Sequence, residues 1–328
     1  MTTSQTIPAT LFLVTYNQSR FIEEAVNSAF EQNYTNLDIV ISDDASSDDT
    51  YSKLEAIVAG YSGPHRIILN RNKENKGVND HLNFVFQNLI KTQHVILQAG
   101  DDISYPGRVK EIMRYFEANP DVYALCSNSR MLNIDGDQSG TFVKKNIGSN
   151  HKRNLPEVLS FGRLFYGASA AYHMSLLEVF GPLPIEVRNE DQILPLRAAL
   201  LGRVGYLDKV LLGYRQHGNN LSFWSKKMMF GYKHFLELEC QDLTNQRMNW
   251  DAFLLDYDRL SYEAGCRQEI VQKIEQVSLK LYLLENLIHK RVVKLVRKYR
   301  NANKAYALLA ISPFVYFLLR RYLNNRSR

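Results

Sequence analysis

Cysteine is scarce in this chain, and the three present, Cys126, Cys240 and Cys266, are scattered. An odd number with no CxxC spacing argues against a disulfide framework and against a cysteine-built metal site, and makes a reducing cytosol the natural compartment. Residues 1–8 are polar and uncharged, without the basic start and apolar run of a secretory leader. Two phosphate-cradling motifs are missing. No G-x-G-x-x-G follows the first apolar run, which disfavours a dinucleotide dehydrogenase, and no G-x-x-x-x-G-K-[ST] marks a P-loop. A membrane-spanning run is missing too. The apolar stretch at 305–319 contains Pro313 and as a helix would reach only roughly 22 Å, against ~30 Å for a hydrocarbon core. It is expected to be interfacial or re-entrant. Finally, from residue 286 to the end there is no Asp or Glu against eleven Lys and Arg, so the net charge of +6 conceals a body with 29 basic and 34 acidic residues. A basic tail on an acidic body points to an anionic surface more than to nucleic acid.

What is present is enough for a sizeable core. The chain has 328 residues, 45% hydrophobic and 23% charged, which fits one large α/β domain with an appendage. Short apolar runs alternate with amphipathic ones. Strands are expected over 10–15 (TLFLVT), 37–42 (LDIVIS), 66–69, 94–98 and 122–126. Helices are expected over 19–31, from about 49, over 78–90 and over 106–118. Ser19 and Asp48 or Asp49 are placed to cap the first two helices, and Pro106 falls in the first turn of the fourth. This alternation predicts a mostly parallel sheet with helices on both faces, and ligands in such sheets bind at the carboxyl ends of the strands.

Polar clusters stand at those ends. Thr15-Tyr16-Asn17 follows the first strand, Asp43-Asp44-Ala45-Ser46 the second, and Gly100-Asp101-Asp102 the fourth. Adjacent carboxylates at a sheet edge repel unless a cation sits between or beside them, and hard divalent ions choose carboxylate oxygens together with substrate phosphates. A turn that caps the next helix is the plainer reading of the same pair. Asp43 and Asp44 precede the capping position, so they are free to accept hydrogen bonds from a base N–H or a sugar hydroxyl. Tyr16 offers a ring face for stacking on a planar base. Glu190-Asp191 opens a further helical stretch, where a carboxylate can cap the helix or serve as a general base.

Taken in order, V-T-Y-N (14–17), S-D-D-A-S-S-D-D-T (42–50), N-K-G (75–77), G-D-D (100–102), N-E-D-Q (189–192) and Y-R-Q-H-G-N-N (214–220) resemble glycosyltransferase family 2, over roughly residues 8–222. The resemblance implies an α/β fold of GT-A type, a Rossmann-like nucleotide-sugar-binding domain at 1–222, with its donor half at about 8–128 and its acceptor half at 129–222. A helical, basic C-terminal extension follows at 223–328. It implies an inverting enzyme that moves a sugar from a nucleotide-sugar donor to a glycan or lipid-linked acceptor, in surface-polysaccharide synthesis, with a divalent metal, Mn2+ or Mg2+. Matching positions carry the family's roles. Tyr16 would border the base, Asp44 would hydrogen-bond it, and Asp101 would contact the ribose or help hold the metal. Asp102 would be the direct metal ligand, with His217 near the metal or the diphosphate. Asp191 would be the catalytic base, with Glu190 orienting it or the acceptor. The metal motif here is Asp101-Asp102-Ile103 in place of a strict Asp-x-Asp. The arginine of the common A-R-N pattern after Gly77 is missing, and Asn83 matches only its last position.

The tail has its own pattern. Ile270, Ile274, Val277, Leu281, Leu284, Ile288, Val292, Leu295 and Tyr299 follow three- and four-residue steps. The earlier part of this stripe is expected to pack on the body or pair with a second copy. Past Ile288 the apolar residues face away from Lys290, Arg291, Lys294, Arg297 and Lys298, the pattern of a helix lying in a membrane interface. The expected location is cytoplasmic, at the inner face of the cell membrane, with no nucleic-acid partner. Two other readings compete with this one: a non-catalytic nucleotide-sugar binder, which the intact acidic motifs oppose, and a nucleotidyltransferase, which lacks its glycine-rich basic loop after the first strand.

Overall fold

The computed structural model describes residues 6–142, 152–161, 167–187, 190–218, 232–260 and 266–288. Asn189, Asn219 and Asn220 of the motifs lie outside this set. So do residues 143–151, and the whole expected interfacial helix and apolar run past Ile288.

The first strand, β1 (Ala9–Thr15), lies in the interior of the sheet. Its side chains are buried on both faces but for one, the mark of an interior parallel strand. It pairs in parallel with β2 (Leu37–Asp43) and β4 (His94–Ala99), and β2 pairs in parallel with β3 (Arg66–Arg71). The register levels the strand ends: Thr15 stands opposite Asp43, Asp43 opposite Arg71, and Val14 opposite Ala99. Helices α1 (Ile22–Phe30), α2 (Thr50–Ala59) and α4 (Arg108–Ala118) bury Ile22, Ala25, Val26, Ala29, Leu54, Val109, Ile112 and Met113 in one core with β1 and β2. Helix α3 (Val78–Asn88) buries Leu82, Val85 and Phe86.

Beyond β4 the sheet departs from the parallel expectation. The order is β3-β2-β1-β4-β9-β6-β10-β5, with β7 (Gln138–Phe142) on β6 and β8 (Lys152–Arg153) on β10. Strand β9 (Ala170–His173) runs antiparallel between β4 and β6 (Val122–Leu132), and only the β6–β10 pair restores a parallel contact. The short β9 follows two segments that mix helix and strand character, so no strand–helix–strand rhythm announces it. Strand β10 (Arg203–Arg215) is long and shifts register near Val210. Past the shift it pairs antiparallel with β5 (Ile103–Ser104), Leu212 opposite Ser104. That pairing carries Arg215 to the residues after β4.

Two capping expectations change. Ser19 does not cap α1: the residue before the helix, Phe21, has no side-chain cap, and Ser19 instead meets Asp49 and the Lys53 ammonium. Asp48 accepts the Thr50 amide at 3.0 Å, whereas Asp49 makes no cap bond. Helix α4 begins at Arg108, two residues after Pro106.

The chain divides into two compact units, Met1–Asn220 with Ala252–Cys266, and Leu221–Asp251 with Arg267–Arg328. In the first, helix α7 (Glu190–Leu201) follows α5 (Leu155–Phe161) and α6 (Ser175–Phe180), and its Arg197 is paired with Asp256 at 2.7 Å. In the second, parts of α8 (Tyr232–Arg259) and α9 (Arg267–Ile288) share a small core of Leu243, Val277 and Leu284 with Cys240, Trp250 and Leu281. Among the described residues no helix is long and apolar enough to cross a membrane.

Candidate functional site

The carboxyl ends of β1, β2 and β4 form one edge. Just past β1, Tyr16 is 45% exposed, so its ring is available to a ligand. Asn17 and Ala45 both hold positive φ, 51° and 59°, which is uncommon for side-chain-bearing residues and concentrates at functional loops. They lock the two loops together: the Asn17 amide donates to Ser46 Oγ at 2.8 Å, and the Ser47 amide donates to Asn17 Oδ1 at 2.8 Å.

Asp43 and Asp44 do different things. Asp43 folds back on its own turn, accepting the Ser46 amide at 2.9 Å, with Arg71 Nε 3.7 Å away. Asp44 reaches across to the loop after β3. It accepts Asn72 Nδ2 at 2.7 Å, the Lys76 amide at 3.0 Å and the Gly77 amide at 2.9 Å. Gly77 has φ 76°, a backbone state that suits glycine at this turn into α3. A carboxylate has about four lone-pair sites, so with these three bonds Asp44 holds the loop and has roughly one site left. Behind it, buried His81 shares a 2.6 Å hydrogen bond with Ser42. Burial lowers the His81 pKa, against the opposing pull of Asp44 and Asp43.

At the end of β4, Gly100 is obligatory: a Cβ there would strike Gln18 Oε1 and lie 2.7 Å from Thr15 Oγ1. The chain then turns through Asp101 and Asp102. Asp102 is wholly buried. Its Oδ1 accepts the Arg215 amide at 2.9 Å, and its buried Oδ2 has no hydrogen-bond partner among the described residues. Burial, then the Asp101 charge, push this carboxyl well above the ordinary range, with the Arg215 amide and the Arg108 and Arg215 cations opposing. Asp101 Oδ2 is 2.9 Å from His217 Nε2. The His217 ring lies 4.7 Å from that of Phe21, and the Arg215 guanidinium sits over the same Phe21 ring. Arg215 donates from Nε to the Asp101 carbonyl at 3.0 Å, from Nη1 to the Ile134 carbonyl at 3.1 Å and from Nη2 to Glu24 at 2.5 Å.

Asp101, Asp102 and His217 are thus brought together, with His217 on Asp101. No group of three His, Cys, Asp or Glu stands ready to hold a metal ion among the described residues. A buried carboxylate oxygen without a partner among the described residues, on a group of raised pKa, is nonetheless one a divalent cation could complete.

Glu190 and Asp191 form the first turn of α7, with Asp191 buried. Gly167, in the 3-10 turn Gly167–Ser169, makes room for them: a Cβ there would collide with Glu190 Oε1 and stand 3.8 Å from Asp191 Cβ. Tyr172 on β9 feels both acids. Burial first, then Glu190 and Asp191, hold its phenol well above the ordinary value. Pro195, inside the helix, has no N–H to give the carbonyl four residues back, that of Asp191. Asn83 secures the segment leading here. Its amide donates to the Leu183 carbonyl and accepts the Leu183 N–H, each at 2.8 Å. The residue that only half-matched a motif is a clamp between α3 and the approach to α7.

Sequence reading assigned no role to Arg108 or Arg215, both buried to within 1%. A signal existed for each. Arg215 lies inside the Y-R-Q-H motif, and Arg108 shares the buried side of α4 with Ile112 and Tyr115, a place where an apolar residue is the default.

The family model of glycosyl transferase family 2 matches residues 10–180. EpsE of Bacillus subtilis, a glycosyltransferase by name, is 33% identical over 102 residues, 31% of this chain and 36% of EpsE. An uncharacterized glycosyltransferase of Haemophilus influenzae is 32% identical over 112 residues, 34% of this chain and 33% of its own. The matches thus span about a third of the length of these curated relatives. Among solved structures, S. aureus TarS 1–349 in complex with UDP-GlcNAc superposes with a TM-score of 0.56 at 16% identity, covering 92% of each chain. The mannosyltransferase PcManGT from Pyrobaculum calidifontis, in complex with GDP-Man and Mn2+, does so with 0.57 at 18% identity, covering 96% of this chain and 84% of its own. At these identities the likeness is one of fold, the GT-A fold expected from the motifs. The family match covers the strands that carry Tyr16, Asp44, Asp101 and Asp102 to one edge, and the chain belongs to glycosyl transferase family 2.

Proposed function

We propose that this protein transfers a sugar, with inversion, from a nucleoside-diphosphate sugar to a glycan or lipid-linked acceptor in surface-polysaccharide synthesis, with a divalent metal, Mn2+ or Mg2+. The observation that carries the reading is the buried Asp102 Oδ2, without a partner among the described residues, at the carboxyl edge of the parallel strands and beside the Asp101–His217 pair. Asp102 would hold the metal, with His217 able to exchange its bond to Asp101 for the ion. A cation bound there supplies Lewis-acid neutralisation of the departing diphosphate. Tyr16 stacks on or borders the base, Asp44 accepts from its N–H, and Asp101 accepts from the ribose. Asp191 takes the proton from the attacking hydroxyl, and Glu190 orients that hydroxyl or the base. Attack opposite the leaving group inverts the anomeric centre through an oxocarbenium-like state. Relatives in fold that hold UDP-GlcNAc or GDP-Man with Mn2+ support this choice of donor and metal.

On this reading residues 1–222 form the catalytic domain and 223–328 a basic extension, through which the protein lies on an anionic membrane surface at the cytoplasmic side. The extension's stripe before Leu284 could also pair with a second copy. The test is a thermal-shift panel of UDP, GDP and dTDP sugars with Mn2+, Mg2+ or chelator. A ligand that binds the folded state raises the melting temperature by mass action. One donor should do so, with the shift lost in chelator and in Asp102→Ala. No shift for any donor with folded protein would remove the reading.

A further inference from the structure

The first residue of α4, Arg108, is fully buried and has no carboxylate within ion-pair distance among the described residues. Taking a cation out of water without a paired anion is expensive, and an apolar side chain of similar size would often serve packing better. The carboxylate whose charge it feels is Asp102, beyond ion-pair distance. What the guanidinium does instead is bind three elements at once. Nη1 donates to Ser104 Oγ at 2.8 Å. Nη2 donates to the Leu97 carbonyl at 2.7 Å and to the Ala168 carbonyl at 2.8 Å. Ser104 Oγ donates in turn to Gln98 Oε1 at 2.7 Å, and Gln98 Nε2 donates to the Asp102 carbonyl at 3.2 Å. On the other side, Ala168 adjoins Gly167, against which Glu190 Oε1 and Asp191 Cβ rest. One rigid plane therefore touches both the frame of the Asp101–Asp102 turn and the turn that supports Glu190 and Asp191. A fork of fixed geometry can do this, whereas a single ammonium cannot.

We propose that Arg108 is a positioning residue that fixes the separation between the Asp101–Asp102 carboxylates and the Glu190–Asp191 carboxylates. The functional consequence rests on the roles given above to Asp102 and Asp191. If the two acidic pairs hold the leaving group and the base, their spacing sets whether donor and acceptor meet in reactive geometry. A misplacement of about 1 Å costs on the order of 100-fold in rate.

The test compares Arg108→Lys, which keeps a nitrogen donor and loses the fork, with Ser104→Ala, which removes one leg and leaves Arg108 in place. Amide hydrogen exchange is followed at 99–104, 167–169 and 190–194. Release of nucleoside diphosphate from UDP-GlcNAc and GDP-mannose is measured beside the Kd of Mn2+ with UDP or GDP. In Arg108→Lys, exchange should quicken about tenfold or more at those three segments, with β1 and β2 little changed. Release should fall about 100-fold while the Kd stays within about threefold. Ser104→Ala should move each readout the same way by about tenfold at most. A uniform rise in exchange across the sheet, or unchanged release per folded molecule, overturns the proposal. Should Arg108→Lys fail to fold, Ser104→Ala decides, since its charge remains. Should wild type release nothing from either donor, the exchange pattern decides alone. Asp191→Asn is the control for the underlying reading: undiminished release there would sink the base assignment, while the exchange result would still judge Arg108.

Discussion

Replacing Asp102 by asparagine should make the metal-free protein more stable, and increasingly so as pH rises. The two side chains have the same shape, and an asparagine carbonyl oxygen can still accept the Arg215 amide that Asp102 Oδ1 accepts now. What differs is the charge. Asp102 is fully buried, and its carboxyl is held well above the ordinary range by burial and by Asp101. In the unfolded chain the group ionises near its ordinary value of 3.8. Below that pH it is protonated in both states and costs nothing. Above it the unfolded state releases a proton that the folded state retains. Stability is therefore lost as pH rises through the folded pKa, at about 1.4 kcal/mol per pH unit, and levels off above it. The substituted amide does not titrate, so the difference between variant and wild type traces this single group. A first unit of the shift corresponds to about 3–6 °C in melting temperature for a domain of this size. The assay is thermal melting in chelator from pH 4 to 8, for both proteins. The variant should gain on wild type with increasing pH, and added Mn2+ with a nucleoside diphosphate should stabilise wild type alone. A gap independent of pH, or a variant less stable throughout, would refute the reasoning.

Other outcomes follow from the geometry. Ala45→Gly should raise the melting temperature: a left-handed alanine costs about 1–2 kcal/mol, of which the added freedom of unfolded glycine takes back about 0.5–1. Asn83→Ala removes two 2.8 Å hydrogen bonds to Leu183 and should cost about 2 kcal/mol by denaturant melting. It should also slow turnover, because the segment it clamps leads to α7. His94, whose pKa burial and then His173 lower to about 4, resists protonation in the folded state. Its contribution is present above pH 6.5 and lost as pH falls toward 4, so His94→Gln should flatten the acid limb of a stability–pH curve.

Much of the donor half could be read directly from the chain. Runs such as TLFLVT and LDIVIS are apolar on both faces, and only an interior parallel strand buries both. The expected starts of β2, β3, β4 and β6 coincide with the observed ones. The acidic clusters fell at strand ends because the strands were placed correctly, and the register then levelled them. The second half resisted for physical reasons. Strand β9 has four residues and no alternation, and its antiparallel insertion depends on tertiary pairing that local pattern does not encode. Arg108 and Arg215 were passed over because a buried arginine looks on paper like a surface one. Their burial is decided by carbonyls from distant elements, such as Ala168 and Ile134. Helix ends were misjudged where Ser19 found partners on α2 rather than on its own helix.

The central claim is metal-assisted transfer with Asp191 as base. Its most direct test is nucleoside diphosphate release from UDP-GlcNAc, GDP-mannose and related donors, in wild type, Asp102→Ala and Asp191→Asn, with and without chelator. Wild type should release nucleoside diphosphate with one donor, and that release should be lost in chelator and in Asp102→Ala. In Asp191→Asn release should fall about 10²–10⁴-fold while donor binding persists. Release that survives both substitutions and the chelator, or donor binding with no release from any donor and acceptor, would contradict it.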